Sequence, residues 1–134
     1  MTDHPQGPFN PAGLKQQSYY NHAILRPGQP VFLTGQVAWD EAGEVVGIGD
    51  IDAQARRIWE NIGHALKGLG VGPEAVVKLT TFAVSRDAIP ALHRAREAFF
   101  AGYDLPASTF VMVAGLAEPE LLAEIEATVM LPQG

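Results

Sequence analysis

Between Leu121 and Leu131 the chain alternates without a break. Leu121, Ala123, Ile125, Ala127, Val129 and Leu131 share one phase, and Glu124, Glu126 and Thr128 share the other. A period of two describes a strand with one apolar face and one carboxylate-rich face. The apolar face demands a packed layer behind it. The opposite face belongs to water by default, but if a second subunit covers it the carboxylates lose solvent and need partners. The preceding stretch, from Pro106 (PASTFVMV), supplies another strand, and Gly115 to Glu120 separate the two.

The covering layer is written twice upstream. Ala55, Ile58, Ile62, Ala65, Leu66 and Leu69 recur at three and four residues, which predicts a helix from about Asp52 to Leu69. Asp50 or Asp52 caps it, and Gly70 with Gly72-Pro73 stops it. Ile89, Leu92, Ala95, Ala98 and Phe99 mark a second helix ending near Gly102, with Ser85 and Asp87 as caps. Val76 to Val84 (VVKLTTFAV) is β-branched and reads as a strand with Val77, Leu79, Thr81 and Ala83 in one phase. Nearer the start, Ser18–Leu25 and Val31–Val37 predict a hairpin through Arg26-Pro27-Gly28-Gln29-Pro30. Gly35 inside the second of these strands costs stability unless a bulge or a close-approaching group needs the space. Val45–Ile48 reads as a short edge strand, and residues 1–17, with Pro5, Pro8 and Pro11, as an extended N-terminal arm.

The expectation is a single domain over residues 1–134, of class α+β, with two helices packed on one face of a mixed sheet. Lys78, Thr80, Phe82, Glu124, Glu126 and Thr128 then fall on the other face. That mixture is too apolar for ordinary surface and too charged for a core, so it reads as an oligomer interface.

The composition excludes several functions. With no cysteine, thiolate nucleophiles, disulfides and cysteine-ligated metals are impossible. The four histidines, His4, His22, His64 and His93, have no metal-ligand spacing, and no metal or cofactor is expected. A net charge of −6 disfavours nucleic acid, and no run is long and apolar enough for a membrane. The polar, proline-rich start does not read as a signal peptide, so the expected location is the cytoplasm.

Several spaced blocks carry a family resemblance: LTGQV at Leu33–Val37, GEV at Gly43–Val45, DAQARRIWENI at Asp52–Ile62, KLTTFAV at Lys78–Val84, EAFF at Glu97–Phe100, PAST at Pro106–Thr109 and EIEA at Glu124–Ala127. In that order and spacing the chain resembles the RidA/YjgF family of reactive-intermediate enamine/imine deaminases. The resemblance implies a chorismate-mutase-like fold, assembled as a homotrimer around a central barrel, with small-molecule clefts between adjacent subunits. It also implies site residues. Glu124 matches the family's water-positioning glutamate, Tyr19 its cleft tyrosine, Phe82 its strand aromatic, and Gly35 keeps a backbone role.

Three positions depart from that pattern. Where the active deaminases carry an arginine that forks onto a substrate carboxylate, this chain has Ser108, a neutral hydroxyl. Phe110 stands where a cysteine or small residue is usual, and His93 replaces a cleft asparagine with a titratable ring. Arg94, Arg96 and Arg26 are the arginines that could stand in for the missing one.

Two readings are open. The first is a hydrolase or deaminase acting on a small imine or enamine, with Glu124 and His93 catalytic and Tyr19, Gly35, Phe82, Ser108 and Phe110 binding substrate. Without the arginine, turnover of 2-aminoacrylate is not expected of it. The second is a non-catalytic homotrimer that binds a small ligand.

Overall fold

The computed structural model describes residues 6–133; the start of the arm, with His4 and Pro5, lies outside them. The strands are β1 (Gly7–Phe9), β2 (Ala23–Leu25), β3 (Gln29–Phe32), β4 (Val76–Ala83), β5 (Ala107–Met112) and β6 (Ala123–Leu131), and the helices are α1 (Ile51–Leu69) and α2 (Ile89–Phe99). The main sheet has the order β3-β6-β4-β5, with β4 and β5 parallel and the other pairs antiparallel.

The alternation of β6 sets the architecture. Ala123, Ile125, Ala127 and Val129 are buried against Ala55, Ile58, Ile62 and Leu66 of α1 and Leu92 of α2, and Leu121 just before the strand is buried too. Fully burying side chains such as Ile58, Ile62 and Leu66 contributes about 1.5–3 kcal/mol each, enough to hold the helices on this one face. Trp59 joins them through Phe99 and Phe100, with ring centroids 4.5 Å and 5.5 Å away. Helix α1 starts where its cap chemistry predicts: the Asp50 carboxylate accepts from Ala53 N at 3.1 Å. It ends at Gly70, whose φ of 76° only glycine adopts freely.

The start of the chain departs from expectation. Ser18–Leu25 and Val31–Val37 form no hairpin. Strand β2 pairs with β1 inside the arm, and β3 turns away to pair with β6. The cause lies in the connection between them. Gly28 has φ 141° and lies against the backbone of Leu131, where a Cβ would overlap the carbonyl oxygen, so the chain is delivered onto β6 instead of back onto β2. Pro30 is tolerated because β3 is an edge strand. The proposed Val45–Ile48 strand reduces to a single bridge between Trp39 and Val45. In β4 a register shift between Val76 and Lys78 displaces Val77, and Val76 takes the inner position beside Leu79, Thr81 and Ala83.

Gly35 meets both conditions set for it. Leu33 N bonds to Ala127 O at 3.0 Å, and Gln36 N bonds to Ile125 O at 2.8 Å. Two steps along β6 therefore face three along the β3 extension, and one extra residue bulges out beside Gly35. A Cβ on Gly35 would overlap the Glu124 carboxylate.

Candidate functional site

The sheet separates the predicted site residues into two groups. Ser108, Phe110 and Met112 sit on β5 in register with the buried Leu79, Thr81 and Ala83, so they face the helix layer. Glu124 pairs in register with Phe82 on the opposite face.

The helix-side group gathers at the free edge of the sheet. His93 and Arg96 lie three apart on α2 and so share one helix face. Tyr19 comes from the loop before β2. Asn21 fixes that loop to the segment entering β5: its side chain donates to Leu105 O at 2.6 Å and its backbone N to Pro106 O at 3.2 Å. Asn10 tightens it further, donating to the Asn21 side chain and accepting from His22 N, both at 2.8 Å. The Tyr19 ring stacks on His93 at 4.7 Å and 28°, and Phe110 meets His93 edge-on at 6.1 Å. The Arg96 guanidinium lies 5.9 Å from the Tyr19 ring centroid and donates from Nη1 to Ser108 Oγ at 3.0 Å. A cavity of about 410 Å³ opens here, lined by Tyr19, His93, Arg96, Glu97, Tyr103 and Leu105 among others. Neither Phe110 nor Trp39 plugs it. A second hollow of about 350 Å³, with Ile89, Phe110 and Met112 in its wall, adjoins the Tyr19–His93 pair.

Of the three arginines considered as stand-ins, only Arg96 reaches Ser108. Arg94 is exposed and pairs with Asp52 at 3.0 Å. Arg26 borders a separate hollow with Glu74, Tyr103 and Asp104. Its charge makes Arg96 read as surface, yet it lies seven residues after Ile89 and four after Leu92, on the helix's inner phase. A charge on an apolar stripe was the available signal.

Burial lowers the His93 pKa from its usual value, and the neighbouring Arg96 charge lowers it further. Arg96 is itself lowered by burial, partly countered by Tyr19, but a guanidinium stays charged at neutral pH. His93 is therefore neutral at pH 7. An unfolded chain takes up this proton first, so stability is full above about 6.5, the ordinary histidine value, and falls as pH drops below it. His93→Asn should flatten that decline: urea midpoints measured from pH 7.5 to 5 should fall less for the variant than for the parent chain.

On the other face, Glu124 lies over the Gly35 bulge with Phe82 opposite it. Pairing with Lys78 does not occur within the chain, because Lys78 Nζ donates to Thr109 Oγ1 instead. Among the described residues neither Glu124 nor Glu126 forms an ion pair. Near Gly35 a groove of about 460 Å³ runs past Trp39 and His64, shaped by Asn61, whose amide donates to Val37 O and Trp39 O at 3.0 Å each. Phe32, in register with Thr128 on this uncovered face, is 77% exposed. Among the described residues there is no group of three or more His, Asp or Glu that could hold a metal, and no helix long and apolar enough to cross a membrane.

One further residue was missed by sequence reading. Gln54 is fully buried in α1 and bonds three backbone groups: it donates to Gly47 O (3.1 Å) and Glu120 O (2.9 Å) and accepts from Leu122 N (2.9 Å). It holds the approach to β6, and so the position of Glu124.

Comparison with known proteins agrees with this architecture. The family model described as Endoribonuclease L-PSP matches residues 12–131. A RutC family protein of Synechocystis is 33% identical over 114 residues, covering 84% of this chain and 86% of that protein. One from Pyrococcus abyssi is 34% identical over 109 residues, covering 81% and 83%. Among solved structures, the Rid-family protein YyfB of Yersinia pestis has a TM-score of 0.86 at 36% identity, covering 92% of this chain and 97% of that one. Sequence blocks, sheet order and these matches coincide, and the chain belongs to the RidA/YjgF family.

Proposed function

We propose that this protein hydrolyses a small imine or enamine in a cleft that two copies of the chain build together. The observation that carries the reading is the Glu124 carboxylate, seated over the Gly35 bulge and, among the described residues, free of any ion pair. A carboxylate held that way can orient a water and take its proton as the oxygen adds to a C=N carbon. The carbinolamine formed then expels ammonia and leaves a carbonyl product. His93, neutral at pH 7, can relay the proton that Glu124 takes from the water, accepting it on one ring nitrogen before the departing nitrogen receives it. Backbone donors near Phe110 to Met112 can polarise the reacting group.

The two-copy arrangement comes from the position of the sheet. Tyr19, His93, Ser108 and Phe110 lie on its helix side, while Gly35, Phe82 and Glu124 lie on the uncovered side, so one chain cannot enclose a ligand with both groups. A homotrimer that buries Phe32 and the rest of that face would bring one subunit's edge to another's carboxylate. The net charge of −6 supports a small metabolite as the substrate rather than RNA.

The test is ammonia release from 2-imino acids generated in solution by an amino-acid oxidase. The parent chain should outpace the buffer reaction. Glu124→Gln and Gly35→Ala, the second of which displaces the carboxylate, should each slow it about 100-fold. Reassembling equal amounts of Glu124→Gln and a Tyr19→Ala/His93→Ala double variant should recover about a quarter of the sites, because each site then draws one half from each neighbour. Mixed oligomers without recovered activity would remove the two-copy site. A parent chain no faster than buffer on any imine would leave the ligand-binding trimer.

A further inference from the structure

We propose that residues 11–20 form a hinged strap whose Tyr19 ring partitions the cleft, and that Asn21 and Asn10 set how often it opens. It rests on the reading above only for what enters, because the partition and its latch are geometry.

Tyr19 and His93 are the two residues common to the walls of the cavity of about 410 Å³ and the adjoining hollow of about 350 Å³. Their rings, stacked at 4.7 Å, therefore stand between the two spaces. His93 is fixed by α2. Tyr19 belongs to a segment that the rest of the fold scarcely holds. Among the described residues, the hydrogen bonds of residues 11–20 stay within 10–22: Gln16 donates to Leu14 O at 3.1 Å, and the His22 ring donates to Lys15 O. Leu14, the one large aliphatic residue of the segment, is half exposed and anchors nothing from below. What reaches the helix layer is the Tyr19 ring, on His93 and near the Arg96 guanidinium. A stacked pair shifts an equilibrium by only about two- to tenfold.

The ends of the segment are held far better. Asn21 binds the approach to β5 through its side chain and its backbone N, and its Oδ1 accepts from Asn10. Tyr19 is two residues before Asn21, so these bonds place the ring as well as the end of the strap. Exposed loops with few tertiary contacts are where local opening is easiest. When this one opens, Tyr19 leaves His93 and the two hollows become one. A closed strap confines a ligand to one hollow, and an open strap admits a longer ligand that spans both. Asn21 is thus a positioning residue that acts through Tyr19.

The experiment compares the full-length parent, Asn21→Ala and Asn10→Ala at pH 7.5, by residue-resolved hydrogen exchange and by labelling of His93 with diethyl pyrocarbonate. That reagent attacks a neutral imidazole, which His93 supplies. Opening is read at the amide of residue 21, whose bond to Pro106 O both variants leave in place. Each variant loses two side-chain hydrogen bonds, which should raise this exchange about tenfold. His93 labelling should rise by the same factor, with the β6 amides unaltered. A ligand that needs the open state binds in proportion to its population. KM for the phenylalanine-derived imine should therefore fall about tenfold against that for the alanine-derived one. Raised exchange with unaltered His93 labelling would make Asn21 a fastener of the arm alone and overturn the proposal. Unaltered exchange in both variants, an equal rise at β6, or a KM ratio left at the parent value would overturn it too. Should Asn21→Ala not fold, Asn10→Ala decides, because that residue is exposed. Raised labelling with no turnover of either imine would keep the strap and remove the hydrolase. Turnover by the parent chain with unaltered labelling in the variants would do the reverse.

Discussion

Replacing Gln54 with methionine should lower the unfolding free energy by about 3 kcal/mol, although the two side chains have nearly the same length. The amide joins three backbone groups that do not meet one another: Gly47 O before α1, and Glu120 O and Leu122 N on the way into β6. All three lie around a side chain with no solvent exposure, so water cannot simply take its place. Each buried group left without a partner costs about 1–3 kcal/mol, partly offset by the apolar replacement. Urea denaturation measures this directly, as a lower midpoint at unchanged slope. Glutamate should be worse than methionine at neutral pH, because its carboxylate accepts from Leu122 N but cannot donate to either carbonyl. Leu122 is two residues from Glu124, so a variant that still folds should also lose activity with the Glu124 variants. A midpoint shift below about 0.5 kcal/mol would mean the loops are held without Gln54.

How far the sequence could be read depended on whether a residue's neighbours are close in the chain. Helix α1, β4 and β6 are legible because period and caps are local: Ile58, Ile62 and Leu66 announce one face, Asp50 and Gly70 the ends. The N-terminal strands are not. Apolar residues in Ser18–Leu25 and Val31–Val37 suggest mutual pairing, but the partner of β3 lies about a hundred residues away, and β1 is three residues inside a proline-rich arm. The site shows the same division. Alternation tells that Glu124 and Ile125 face opposite ways, and motif matching brings out Tyr19, His93, Ser108 and Phe110. Neither tells that the sheet stands between Glu124 and His93. Gln54 escaped, and Arg96 was not told apart from Arg94 and Arg26, because polar residues are ordinarily exposed. Each sits on the inner stripe of its helix, and what keeps it there, Ser108 in one case and the backbone before β6 in the other, is distant in sequence.

Arg96→Met should leave the fold at least as stable as the parent chain. In the unliganded chain the guanidinium is removed from water, shares one hydrogen bond with Ser108 and leaves Nη2 unmet. Its pKa is lowered chiefly by burial, which is the same penalty seen from the proton's side. Replacing a buried charge by an apolar side chain of similar length is commonly neutral or stabilising by about 1–4 kcal/mol. The Tyr19 contact and the Ser108 bond oppose that gain, so the expected result is a denaturation midpoint equal to or above that of the parent chain. Thermal and urea unfolding of both proteins measure the difference directly. A residue retained for the core would give the opposite pattern, a variant destabilised by several kcal/mol, and would show that the Ser108 bond and the Tyr19 contact outweigh the burial of the charge.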